Sequence, residues 1–238
     1  MTANEMADEL EFLFDKIANN DSPGYEDTEL SVILNKAQER FVYKNYGGTN
    51  PLKEGFEETE KRRKDLSELT ANSEITTAST TQTGVLTNGT FFDLPANFLY
   101  AISEEVTITS TDACYNNKRI KVKPITHDQY VANVDNPFKK PYEGLTWRMD
   151  YSRVTDNTNP KRHELITNGS YTIAKYHLRY LRRPPAIVVN RTTPASQVSC
   201  ILDESTHRRI IDIAVELALE NTQDQRLPTN VALNQMNE

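Results

Sequence analysis

Along the N-terminal stretch, apolar residues recur every three or four positions, the spacing of an α-helix with one buried face. Met6, Leu10, Leu13, Phe14 and Ile17 form one such stripe. The turn chemistry of Asp21-Ser22-Pro23-Gly24 predicts that this helix stops near Asn19-Asn20. A second helix is predicted with Leu30, Ile33, Leu34, Ala37 and Phe41 on one face and Glu29, Lys36, Glu39 and Arg40 on the other, ended by Gly47-Gly48. From Pro51 to Leu69 charges dominate. A third helix there, with Pro51 in its first turn, is expected to lie exposed or against a partner.

The pattern then changes period. Residues 70–83 are mostly Thr, Ser and Ala and read as a linker or irregular extended segment. From Val85 to Val189 apolar and polar residues alternate in strand fashion. Asn88-Gly89 and Asn168-Gly169 are the dipeptides that two-residue hairpin turns favour. The second predicts that residues 163–167 pair with the run from Ser170 to Arg182, where Ala174, Tyr176, Leu178 and Tyr180 share one side. Pro184-Pro185 ends that ladder. Phe98 to Thr109 and Arg119 to Lys123 supply further strands. Thr126 reads as the N-cap of a short helix, in an excursion closed by Pro137 and Pro141.

The C-terminal helix, from Arg208 to Glu220, is apolar on more than one side and is therefore expected to be buried on more than one side. With Leu30, Ile33, Leu34, Ala37 and Phe41, its residues Ile210, Ala214 and Leu217 form the candidate core, while Ile213, Val215 and Leu219 are the candidate inter-subunit interface. The expected fold is α+β: a helical bundle from the N- and C-terminal helices, with an antiparallel β-rich region inserted. The expected divisions are residues 1–75, N-terminal helices; 76–195, the β-rich insertion with a short helix; 196–222, the C-terminal bundle helix; and 223–238, a polar tail, disordered or docked on a partner.

Composition narrows the function. Only 37% of the 238 residues are hydrophobic and 26% are charged, which suits a protein with much surface and a thin core. The formal charge of −7 opposes a broad, sequence-independent grip on nucleic acid, which depends on neutralising phosphates. Local basic clusters exist at residues 61–64, 118–123 and 179–183; their simplest reading is a solvated face or a set of salt-bridge partners. Cys114 and Cys200 match no metal or redox spacing, and His127, His163, His177 and His207 fall in four separate segments. Replacing any one of the histidines by alanine is expected to leave assembly largely unchanged. There is no glycine-rich phosphate loop and no nucleophile elbow. The expectation is therefore no catalytic site, no cofactor and no metal. With neither a basic-then-apolar leader nor an apolar run of membrane length, the chain is expected to stay in a reducing cytosol until it assembles.

Four segments in this order resemble the neck and tail ring proteins of crAss-like and related short-tailed phages of Bacteroides: residues 14–39; Phe92-Asp93-Leu94-Pro95-Ala96-Asn97-Phe98-Leu99-Tyr100; residues 180–189; and Leu202-Asp203-Glu204-Ser205-Thr206-His207 leading into the apolar helix. The resemblance implies a virion structural protein that forms a homo-oligomeric ring, twelvefold like the portal it would sit below. It implies portal and neighbouring tail or ring proteins as partners, genomic DNA passing through the lumen without specific binding, and no membrane. Two other readings stay open. One is a different virion role, in head completion or head-fibre attachment. The other is a nucleic-acid-binding module using Arg179, Arg182 and Arg183 beside Tyr176 and Tyr180.

Overall fold

The structure, a computed structural model, describes residues 1–17, 24–48, 55–76, 78, 86–151, 161–222 and 227–236. The expected stop near Asn19-Asn20 and the start at Pro51 lie outside them. Six helices are present among the described residues: α1 (Ala3–Ile17), α2 (Asp27–Gly47), α3 (Glu60–Asp65), α4 (His127–Asn133), α5 (Glu204–Thr222) and α6 (Leu227–Met236). Seven strands accompany them: β1 (Thr70–Ile75), β2 (Gly89–Asp93), β3 (Phe98–Ser110), β4 (Arg119–Pro124), β5 (Leu145–Tyr151), β6 (Arg162–Ile166) and β7 (Tyr171–Arg182). The fold is α+β. Two compact units divide the chain, a helical unit of Met1–Leu69 with Pro184–Glu238 and a sheet unit of Thr70–Arg183.

In the helical unit α1 and α2 both pack on α5. Met6, Leu10 and Phe14 of α1 and Leu30, Leu34, Ala37 and Phe41 of α2 meet Ile210, Ile211, Ala214 and Ala218 of α5, all buried. Helix α2 opens with a capping box, the Glu29 carboxylate accepting from the Glu26 amide at 3.1 Å, and ends where Gly48 takes φ 65°, the left-handed turn that glycine adopts without strain.

One face of α2 carries Ser31, Asn35 and Gln38 at helical spacing, and these polar residues bind the backbone of the segment that follows Arg183. Asn35 donates to the Ile187 carbonyl at 2.8 Å and accepts from the Ile187 amide at 2.7 Å. Gln38 donates to the Pro185 carbonyl, and the Val189 amide donates to Ser31 Oγ at 2.9 Å. Buried backbone groups require such partners, and an extended segment lying on a helix can find them only in side chains. This binding accounts for the burial of Gln38.

Two expectations for this unit change. The third helix is short, and α3 with the turn after it is not merely a solvated surface. Arg62, Asp65, Leu66 and Leu69 are buried, with Arg62 Nη1 donating to Asn45 Oδ1 and Asp65 paired to Arg209 at 2.8 Å. The polar C-terminal stretch contains α6, which starts with Pro228 in its first turn, where no amide partner is lost. Asn234 ties it to α5, donating to Glu216 Oε1 at 2.8 Å.

In the sheet unit the strand order is β1-β7-β3-β4-β5-β6-β2. Every neighbouring pair is antiparallel except β4 and β5, which run parallel through the crossover that contains α4. The expected linker at 70–83 begins with a strand instead: β1 pairs with β7 from Thr70↔Leu181 to Ile75↔Tyr176.

The predicted hairpin at Asn168-Gly169 is not a ladder. β6 pairs with β5 and β2, while β7 pairs with β1 and β3. Gly169 does take a positive φ of 87°, but the turn sends the chain across the fold rather than back along its neighbour. Asn88, with φ 61°, lies against Gly169, so the two Asn-Gly dipeptides meet.

The sheet curls. β6 and β7 stand four positions apart in the strand order, about 19 Å in a flat sheet. Yet His163 Nδ1 lies 2.7 Å from Tyr176 Oη. Phe92 on the far strand β2 also packs its ring on Tyr176, with centroids 5.7 Å apart. The concave face is the core of this unit, joining Phe92, Leu94, Val106, Ile108, Leu165, Tyr176 and Tyr180.

Candidate assembly surfaces and a buried polar cluster

The three residues expected at a subunit interface are covered within the single chain: Ile213 is 8% exposed, Val215 2% and Leu219 0%. Two of the expected core residues, Ile33 and Leu217, are only half-buried. The other six, Leu30, Leu34, Ala37, Phe41, Ile210 and Ala214, are at most 1% exposed. Within the single chain, α5 thus turns Leu217 toward solvent rather than Ile213, Val215 and Leu219. The reason is geometric: α1 and α2 cover α5 from two sides, while Leu217 looks out beside Ile33.

Those two residues line an open groove of about 680 Å³ between α2 and α5, with Tyr25, Val32, Glu29 and Glu220. Val32 is exposed. The rim is acidic at the start of α2 and at the end of α5, with Lys36 between. A helix packed on one side, with apolar residues left on another, is the form expected of a surface that meets a partner.

A second exposed apolar feature lies in the sheet unit. The excursion between β4 and β5 carries Val131, Phe138 and Tyr142 in solvent. Helix α4 starts as predicted, Thr126 Oγ1 accepting from the Gln129 amide at 3.3 Å and Gln129 Oε1 accepting in return. The next turn is held by Asn136, whose carbonyl accepts from the amides of Lys139 and Lys140, and whose side chain accepts from the Phe138 amide at 3.0 Å.

Inside the curled sheet sits a polar cluster that sequence pattern alone did not reveal. Tyr176 Oη, wholly buried, bonds His163 Nδ1 and donates to Glu104 Oε1. Arg148 lies 3.3 Å from Glu104 and 3.0 Å from Asp150, and His163 Nε2 approaches Asp150 at 3.1 Å. Burial, and then the negative charge of Glu104, push the Tyr176 hydroxyl well above its ordinary pKa, so it stays a donor. The hydrogen bond from His163 holds the Asp150 carboxyl below its usual range. Four of these groups, Glu104, Arg148, His163 and Tyr176, stand on β3, β5, β6 and β7 where a purely apolar core would have placed methyl groups, while Asp150 meets Arg148 and His163 from the exposed side. The signal that could have found them is four charged or hydrogen-bonding residues on the inward side of otherwise apolar strands.

The histidines stand in unlike settings. His163 belongs to the cluster. His177 Nε2 contacts Thr107 Oγ1 at 2.9 Å on the sheet surface, and burial lowers its pKa. His207 is buried in α5 beside the Leu202 carbonyl, its pKa likewise lowered by burial. Of these three, His163 is the one tied into a buried hydrogen-bonded cluster.

Among the described residues no three His, Cys, Asp or Glu side chains stand where they could share a metal ion. No helix of the described residues is long and apolar enough to cross a membrane. The reading as a nucleic-acid module loses its stacking platform, since Tyr176 is 0% and Tyr180 5% exposed. Arg179 Nε donates to Asn72 Oδ1 across the β1–β7 pair.

The chain is 33% identical over 252 residues to ring protein 4/5 of Bacteroides phage crAss001, covering 100% of both chains. It is 27% identical over 230 residues to ring protein 3 of the same phage, covering 92% of this chain and 95% of the relative. The profile of the phage tail ring protein 3/4 family matches residues 1–229. The chain belongs to that family and is a structural ring protein of a bacteriophage virion.

Proposed function

We propose that this protein closes into a homo-oligomeric ring in the neck or tail, connects the portal to the tail, and continues the channel through which the genome leaves. The observation that carries this reading is the family match across residues 1–229, which spans both the helical and the sheet unit. The ring is twelvefold, in step with a portal above it, and its other partners are neighbouring ring and tail proteins. Its role is architectural, with no reaction catalysed, and it assembles in the host cytoplasm.

Charge supports the part that concerns DNA. Twelve copies at −7 each sum to roughly −84, and a negative wall lets a duplex slide without adhering. Cryo-electron microscopy of the intact particle, with this chain tagged at its C-terminus, tests the proposal. The expected result is a closed ring between portal and tail, with density continuous around the channel. Label on the capsid surface or on head fibres would assign it a different virion role.

A further inference from the structure

A ring closes through heterologous contacts: one patch of a subunit meets a different patch of the next, and each copy carries both. Two patches described above are unlike each other and complementary. The first is the Asn136-centred turn of the sheet unit. Phe138 at its tip is 96% exposed, and its amide is fixed at 3.0 Å to Asn136 Oδ1, so the ring is presented on an ordered turn. Lys139 and Lys140 follow it, both exposed, and Lys123 lies beside them on β4. The second patch is the α2/α5 groove of the helical unit, apolar at Val32, Ile33 and Leu217 and acidic at Glu29 and Glu220.

Resting on the ring reading above, we infer that the Phe138 turn of one copy seats in the α2/α5 groove of the next copy around the ring. The phenylalanine covers the half-buried Ile33 and Leu217, and the two lysines face Glu29 and Glu220. Removing Phe138 from water supplies the non-directional part of the attraction, and the charge pairs fix the register. DNA is the rival occupant of the lysine pair. Phosphates would satisfy Lys139 and Lys140 but leave the phenylalanine in water, whereas the groove covers it.

The test uses the full chain, purified and also in intact particles, with the exposed thiol removed by C114S. In that background V32C together with F138C should give, on mild oxidation, a covalent ladder extending to the whole ring, and neither single substitution should. K139E with K140E should raise the dissociation constant between subunits at least tenfold, about 1.4 kcal/mol, and E220K should restore part of the affinity. Circular dichroism should be unchanged in all of these, because every altered side chain other than Cys114 lies at the proposed contact and is exposed, and Cys114 is exposed elsewhere.

Closed rings by electron microscopy without a 32–138 cross-link would overturn this contact and leave the ring reading standing. A wild-type chain that forms no ring, alone or in particles, would overturn both. Loss of DNA retention in K139E/K140E with ring closure intact would assign the turn to DNA and overturn the contact.

Discussion

Arg191 grips Glu11 with both ends of its guanidinium, Nη2 to Oε2 at 2.8 Å and Nη1 to Oε1 at 3.3 Å, across 180 residues of sequence. Asp8 lies 2.9 Å from the same Nη2, and Asp27 accepts from the Arg191 amide at 2.9 Å. One residue of the returning chain thus joins α1 to the start of α2. Arg191→Ala and Glu11→Ala should each lower the stability of the helical unit. A double-mutant cycle by urea denaturation should give a coupling of about 1 kcal/mol, the upper range for a partly exposed pair. Near-zero coupling would mean that the pair is ornamental.

The polar cluster of the sheet unit predicts a different response. Tyr176→Phe removes one hydroxyl and leaves Glu104 and His163 short of a partner inside the curl. The expected loss is about 1–3 kcal/mol, the cost of orphaning buried polar groups. His163→Ala should cost more, because it also opens a cavity beneath Phe98, whose ring meets the imidazole edge-on at 5.4 Å. Thermal unfolding followed by near-ultraviolet circular dichroism, sensitive to Tyr176 and its neighbours, would report both. A Tyr176→Phe protein as stable as wild type would show that the cluster contributes nothing net.

On α5 the two kinds of apolar residue should separate cleanly. Leu219→Ala should destabilise the monomer by about 2–5 kcal/mol, as deletion of a fully buried leucine does. Ile213→Glu and Val215→Glu should unfold the helical unit rather than release intact subunits. Val32→Glu, on the groove, should leave the fold unchanged by circular dichroism and impair assembly measured by sedimentation. Folded but unassembled Ile213→Glu or Val215→Glu chains would return those residues to the interface.

Asp212 gives a pH-dependent prediction. Burial, reinforced by Glu9 and Glu216, raises its pKa above the ordinary carboxylate value. A raised folded-state pKa means that its contribution to stability is fully present at low pH, below the unfolded-state pKa near 3.9. That contribution is lost as pH rises through the folded value. Asp212→Asn should therefore stabilise the protein at pH 7, by about 0.5 kcal/mol, and the advantage should shrink toward pH 4. Chemical denaturation at the two pH values distinguishes this from a pH-independent effect.

How much of this was legible in the sequence depended on where each element's partners lie. The helices were readable because their information is local: the Met6-Leu10-Phe14 stripe, the Thr126 cap and Gly48 each sit within a few residues of what they determine. β1 was not, because Thr-Ala-Asn-Ser-Glu-Ile is an edge strand with little burial, stabilised by backbone pairing to β7 about a hundred residues away. Strand pairing at Asn168-Gly169 was misread for the same reason: the turn dipeptide fixes a local φ, whereas the curl decides which strands meet. On α5 the sequence revealed that two faces were buried. One face is expected on the N-terminal helices, and both α1 and α2 do pack on α5; which apolar residues they cover is set by the angle of approach of the two helices, which no local pattern encodes.

The way the sheet unit is spliced into the helical one has a consequence for exchange. Its first residue, Thr70, pairs with Leu181, two residues before its last. Adjacent strands lie about 5 Å apart, so the chain leaves the sheet unit almost where it came in. Immediately afterwards Pro185 and Ile187 are bound by Gln38 and Asn35, which belong to the helices. The sheet is therefore a removable cassette. A few glycine residues joining Leu69 to Pro184 would close the helical unit without it, and a foreign domain with neighbouring termini could occupy the same socket.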